Sequence, residues 1–96
     1  MKKMKKIELV IESLYLNKLI ELFDKKGISG YTIIKDIEGK GEHGIKSADE
    51  VTDVFKNNYV FTVCDEEKLM NIVEDIRSFI KRNGGRCIVS DVSWVL

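Results

Sequence analysis

The chain has 96 residues, enough for one folding unit built around a single two-layer core. Lys+Arg and Asp+Glu both number 16, so the net charge is zero, and 44% of residues are hydrophobic. That balance excludes a disordered chain, and it removes the general electrostatic pull that nucleic acids and anionic membranes require.

The basic stretch Met1–Lys6 followed by Ile7–Leu16 has the outline of a signal peptide, but Glu8 and Glu12 interrupt the apolar run and no small-residue cleavage site follows. Nothing approaches the roughly 20 apolar residues of a membrane span, and the expectation is a cytoplasmic protein. Ile7 to Glu12 alternates apolar and polar residues and reads as a strand. Ser13 is placed to cap a helix whose apolar positions Leu16, Leu19, Ile20 and Phe23 follow the i, i+3, i+4, i+7 spacing. Lys25 and Lys26 suit its C-terminal end, and Gly27 stops it. A second strand is expected over 30–38, with Tyr31, Ile33 and Ile37 on one face and Ile34 on the other.

From Gly39 to about Asn57 neither period persists. Tyr59 to Cys64 is a third strand rich in aromatic and β-branched residues. Asp65 caps a second helix with a buried stripe of Leu69, Ile72, Val73, Ile76 and Ile80. Lys81, Arg82 and Asn83-Gly84-Gly85 terminate it. Cys87 to Val89 is a fourth strand, and Trp94-Val95-Leu96 a short apolar tail.

The order β-α-β-loop-β-α-β is that of an α+β, ferredoxin-like domain spanning residues 1–96, a four-stranded antiparallel sheet with two helices on one face. The third strand is apolar on both faces, Val60, Thr62 and Cys64 opposing Tyr59, Phe61 and Val63, with Val10 and Ile34 adding to the second face. An apolar sheet face without helices calls for a cover, and a closed symmetric oligomer is the simplest one.

Three glycine segments carry the functional signal. A long connection in so small a domain points to function, and Glu38-Gly39-Lys40-Gly41-Glu42-His43-Gly44 opens it with backbone that a ligand can approach. Amides beside Lys40 could hold a phosphate, although the spacing fits neither a P-loop nor a dinucleotide fingerprint. Asn83-Gly84-Gly85-Arg86 exceeds what a helix cap needs, and an arginine beside bare backbone suits a phosphate. Gly27-Ile28-Ser29-Gly30-Tyr31-Thr32 frames a turn with two hydroxyls. His43 has no second ligand nearby, Asp49, Glu50 and Asp53 read as solvated charges, and no catalytic set stands out. Cys64 and Cys87 lie in apolar runs without a CxxC and read as reduced, buried small hydrophobes.

Read together and in order, Lys6–Ile11, Gly27–Ile33, Gly39-Lys40-Gly41 and Gly84-Gly85-Arg86 resemble the PII-like signalling superfamily over nearly the whole chain. The resemblance implies a homotrimer that binds adenine nucleotides in clefts between subunits. It assigns the adenine side to Ile28, Ser29 and Val63, and the phosphates to Gly39, Lys40, Gly41, Gly84, Gly85 and Arg86. Residues 39–57 take the place of the T-loop and 83–86 that of the B-loop. The stretch Glu42–Phe55 has no tyrosine for uridylylation, and Glu42 and His43 stand where nitrogen-regulatory members carry glutamine and arginine. The basic C-terminal segment of those members has no counterpart before Leu96.

Gly39-Lys40-Gly41 with an acidic loop shortened relative to nitrogen-regulatory members is more similar to the PII-like proteins of carboxysomes and bicarbonate transport. The expectation is therefore a non-catalytic regulator without a metal, which binds AMP, ADP, ATP or cyclic AMP, with bicarbonate as a possible second effector. It would switch its loop conformation to control a partner such as a membrane transporter of bicarbonate or another anion. The alternatives are a nitrogen-regulatory PII protein and a nucleotide-independent interaction module. An RNA-recognition domain shares the strand order, but the glycine expected after Lys56 and a paired aromatic on the first strand are missing. An acylphosphatase-like hydrolase would have Arg86 and no catalytic set around it.

Overall fold

The structure is a computed structural model, and it describes residues 1–39 and 56–96. Its elements are β1 (Lys2–Glu12), a 3-10 turn (Ser13–Tyr15), α1 (Leu16–Lys25), β2 (Thr32–Ile37), β3 (Asn57–Cys64), α2 (Glu66–Asn83) and β4 (Arg86–Trp94). The strands line up as β2-β3-β1-β4, each antiparallel to its neighbour, which is the ferredoxin-like arrangement.

The alternation in β1 sorts its side chains by face. Ile7, Leu9 and Ile11 are buried toward the helices, where Leu19 and Phe23 of α1 and Leu69, Ile72, Ile76 and Phe79 of α2 close the core on them. Of the stripe expected on α2, Val73 and Ile80 are only partly buried at its edge, and Phe79, outside the expected stripe, is buried in the core. Asp65 caps α2 as expected, its Oδ1 accepting the Lys68 N–H at 2.8 Å, with Glu66 and Glu67 in the first turn favouring the dipole.

Several elements depart from the sequence pattern. Ser13 does not cap α1: Tyr15 precedes the helix without a side-chain cap, and the Ser13 N–H instead donates to the Lys56 carbonyl at 2.7 Å. β1 starts at Lys2 and β4 runs on to Trp94, because the two strands pair continuously from Lys2–Trp94 to Val10–Arg86. Backbone pairing needs no apolar side chain, so Ser90, Asp91 and Ser93 are strand residues, and a Lys5–Asp91 ion pair crosses the ladder. Their hydrogen bond raises the Lys5 amine and lowers the Asp91 carboxyl.

β2 contains a register shift between Ile34 and Ile37, where Asp36 takes φ +58°. Aspartate tolerates this left-handed conformation better than most residues. The buried Asn58 holds the shift, its Oδ1 accepting the Asp36 N–H at 3.3 Å. The shift carries Ile37 opposite Asn57 and therefore onto the face of Ile34, not that of Ile33.

The face away from the helices carries Val10, Phe61 and Val63, with Ile34 50% and Ile88 57% exposed. Among these sit Glu8, which accepts the Tyr59 hydroxyl at 2.6 Å, and Lys6, 3.6 Å from Glu8 and 4.8 Å from the centre of the Phe61 ring. The bond to Glu8 holds the Tyr59 hydroxyl above its ordinary pKa.

Candidate functional site

The turn after α1 builds the first half of the site. Gly27, at φ +80°, ends the helix in a Schellman pattern, with the Ile28 N–H on Phe23 O at 2.9 Å and the Gly27 N–H on Asp24 O at 3.3 Å. The accompanying hydrophobic contact is the Ile28 side chain, which is 2% exposed. Ile28 thus presents backbone, not side chain, to any ligand. The chain then passes Ser29 and Gly30, whose carbonyl accepts the Thr62 hydroxyl, and enters β2 at Thr32.

Because β2 starts opposite Phe61, the last residues of β3 run past it unpaired on that side. The space left there is a cleft of about 390 Å³. It unites Ile28, Ser29 and Val63, the three residues expected on the adenine side, and adds Thr32, Asp65, Lys68, Met4 and Trp94. Its lining is mainly apolar, with Ser29, Thr32, Thr62 and Lys68 among the polar residues. The Lys68 Nζ donates to Gly27 O at 2.7 Å. Met4 and Trp94 belong to the parts of β1 and β4 that local patterning does not reveal. Lys68 could have been found from Asp65: a cap at 65 puts residue 68 in the first helical turn, facing the strand that has just ended.

The second half forms at the other end of the sheet. Gly84 closes α2 by donating its N–H to Ile80 O at 2.8 Å, and Gly85 follows at φ +98°. A Cβ on Gly85 would fall 2.6 Å from the Val10 carbonyl oxygen, so the backbones touch here. Arg86 opens β4 opposite Val10 and is exposed, and Gly39 lies two residues beyond the end of β2. Lys40 and Gly41 lie outside the described residues, as do His43, Asp49, Glu50 and Asp53.

One chain does not bring the two halves together. Val63 and the Asn57 end of β3 are six residues apart, about 20 Å along a strand. The adenine-side residues flank the first; at the second end Gly39 follows edge strand β2, and Gly84, Gly85 and Arg86 lead into the opposite edge strand β4, with β3 and β1 between them. A ligand that used both sets would lie between two copies of the chain.

Among the described residues, no three His, Cys, Asp or Glu side chains come together as metal ligands, and no helix is long and apolar enough to cross a membrane. Cys64 and Cys87 are both free thiols. Burial raises both, Cys87 to about 11, with Asp65 beside Cys64 and Glu8 near Cys87 adding to the effect. In the unfolded chain the thiol of residue 87 ionises near its ordinary 9, before the folded one does. Stability is therefore unaffected below pH 9 and falls as the pH climbs from 9 toward 11. Cys87→Ala should move the midpoint of alkaline denaturation upward, read by circular dichroism, and native protein at pH 8.5 should alkylate far more slowly than urea-unfolded protein.

Comparison with known proteins agrees with this architecture. The family model for nitrogen regulatory protein P-II matches residues 4–96. The structure of CPII, a nitrogen regulatory PII-like protein from Thiomonas intermedia K12 bound to ADP, AMP and bicarbonate, superposes with a TM-score of 0.80 at 25% identity, over 95% of this chain and 87% of CPII. A PII-like signalling protein from Thermus thermophilus gives 0.73 at 25% identity, covering 94% and 87% of the two chains. The GlnK–ATP complex of B. subtilis gives 0.69 at 20% identity, over 95% and 83%, a likeness of fold. Among curated proteins, no sequence matches.

Proposed function

This chain belongs to the nitrogen regulatory protein P-II family, and on that premise we propose that it is a trimeric regulator that binds adenine nucleotides between its subunits. The observation that carries this reading is the division of the site: a base-sized, mostly apolar cleft at one end of the sheet, and a glycine-lined approach with Arg86 at the other. Two copies placed side by side would supply the base half from one chain and the phosphate half from its neighbour. The helix-free face, with Val10, Ile34, Phe61 and Ile88 unshielded, provides the surface for such an assembly.

The activity is regulatory rather than catalytic. Nucleotide between subunits would bias the connection between β2 and β3, including Lys40 and Gly41, toward the arrangement that a target protein reads. An effective switch needs about 2–5 kcal/mol of differential binding between its two states. The protein works in the cytoplasm, where its target would be an enzyme or a membrane transporter of bicarbonate or another anion. The likeness to CPII, solved with ADP, AMP and bicarbonate, supports an inorganic-carbon role.

Calorimetry against AMP, ADP, ATP and cyclic AMP, each with and without bicarbonate, tests the reading. The expected result is micromolar binding near one nucleotide per chain, with bicarbonate strengthening at least one of them. Arg86→Ala should weaken ADP about 10- to 100-fold, the value of one charge-assisted hydrogen bond to phosphate. If none of the four nucleotides binds, the glycine segments are turns and the domain is a nucleotide-independent interaction module.

A further inference from the structure

Lys68 takes no part in the site that the glycine segments define, yet the fold holds it against that site. Its carbon chain rises from the first turn of α2, whose start is fixed by the Asp65 cap on the Lys68 N–H. Its Nζ reaches across to the Gly27 carbonyl at 2.7 Å, 41 residues away in sequence. Gly27 leaves the room for it: a Cβ there would lie 3.1 Å from the ammonium.

The consequence is an inversion of polarity. A bare turn carbonyl at Gly27 would offer the cleft a hydrogen-bond acceptor. With Lys68 seated on it, the same spot offers donors, since an ammonium has three and Gly27 takes one. The Lys68 side chain lines the cleft beside Ser29 and Val63, so the remaining donors are available to whatever fills it. Ring nitrogens and ribose oxygens are acceptors of the matching kind.

We propose that Lys68 is a binding residue for the nucleoside part of the ligand, donating from Nζ to an acceptor on the base or the ribose. This rests on the assignment of the cleft to the adenine side. Lys68 sits at the end of the sheet away from Arg86, so its contribution is independent of the number of phosphates.

Calorimetry of Lys68→Met against adenosine, AMP, ADP and ATP reads the prediction. Lys68 is exposed, so the variant should fold with an unchanged circular dichroism spectrum. The expected result is an equal loss for all four ligands, about tenfold, whereas the loss in Arg86→Ala grows from AMP to ATP. A contact is separated from mere support of the Gly27 turn by deaza-ADP analogues, each lacking one ring nitrogen, and by 2′-deoxy-ADP. Wild type should penalise one of these, and Lys68→Met should no longer do so. Undiminished affinity in Lys68→Met, a loss that grows with phosphate number, or a variant that discriminates among the analogues as wild type does would each overturn the assignment. Wild-type protein that binds none of the adenine ligands would overturn the nucleotide reading itself.

Discussion

Gly85→Ala should cost about 2–5 kcal/mol of stability and lower the melting temperature by roughly 10–30 °C. Two penalties add. Residue 85 sits at φ +98°, where an L side chain is strained by about 1–2 kcal/mol. Its Cβ would also press on the Val10 carbonyl oxygen at 2.6 Å and on Ile11 Cγ2 at 3.1 Å. These belong to β1, between β3 and β4 and buried at Ile11, so they have little freedom to yield. Overpacking of this kind typically costs about 1–3 kcal/mol. Gly84→Ala is the control. Its φ of +79° with ψ −173° lies in a region kept almost entirely for glycine, a strain of about 1–3 kcal/mol, but a Cβ there meets nothing within 4 Å and adds no clash. Thermal melts of the two variants side by side decide the matter; equal losses would show that the contact with β1 relaxes without cost.

Placing aspartate at both Ile34 and Ile88 should turn the assembly into monomers and abolish nucleotide binding with it. Both side chains lie on the helix-free face, on opposite edge strands, and neither lines the cleft. Being half exposed, they contribute little to the core of one chain, so the helices and sheet should persist in circular dichroism. A carboxylate buried without a partner in a subunit contact costs several kcal/mol, and two of them exceed what such an interface can absorb. Light scattering should give 11.0 kDa for the variant, against three times that mass for wild type. ADP affinity should drop below detection in calorimetry. A variant that is monomeric and still binds ADP like wild type would place the whole site in one chain and contradict the division of the site between two copies; a wild-type monomer would remove the trimer.

The strands and helices whose contacts are periodic are legible from sequence: Ile7, Leu9 and Ile11 announce one face of β1, and Asp65 announces the start of α2. What escapes depends on partners distant along the chain. Nothing local marks Ser90-Asp91-Val92-Ser93 as strand, because β1 supplies the reason. The face of Ile37 is decided by Asp36, whose positive φ is secured by Asn58, 22 residues away. Ser13 looks like a cap, yet its amide is taken by Lys56. The candidate site behaves in the same way. Gly27 to Thr32 and Gly39 are near one another in sequence, but β2 runs between them and delivers them to opposite ends of the sheet. Motifs identified the pieces; the strand separated them.

In the trimer proposed above, that separation would give each binding site two owners. In a ring of three, a chain with a damaged phosphate half spoils the site it shares with one neighbour and leaves intact the site to which it lends its base half. A single faulty copy would therefore lower output by degrees instead of poisoning the whole ring. Two variants of the protein, each crippled in a different half, can restore one another when co-expressed. Inheritance of defects in such a protein follows the geometry of the sheet: which end of a strand a mutation strikes determines whom it harms.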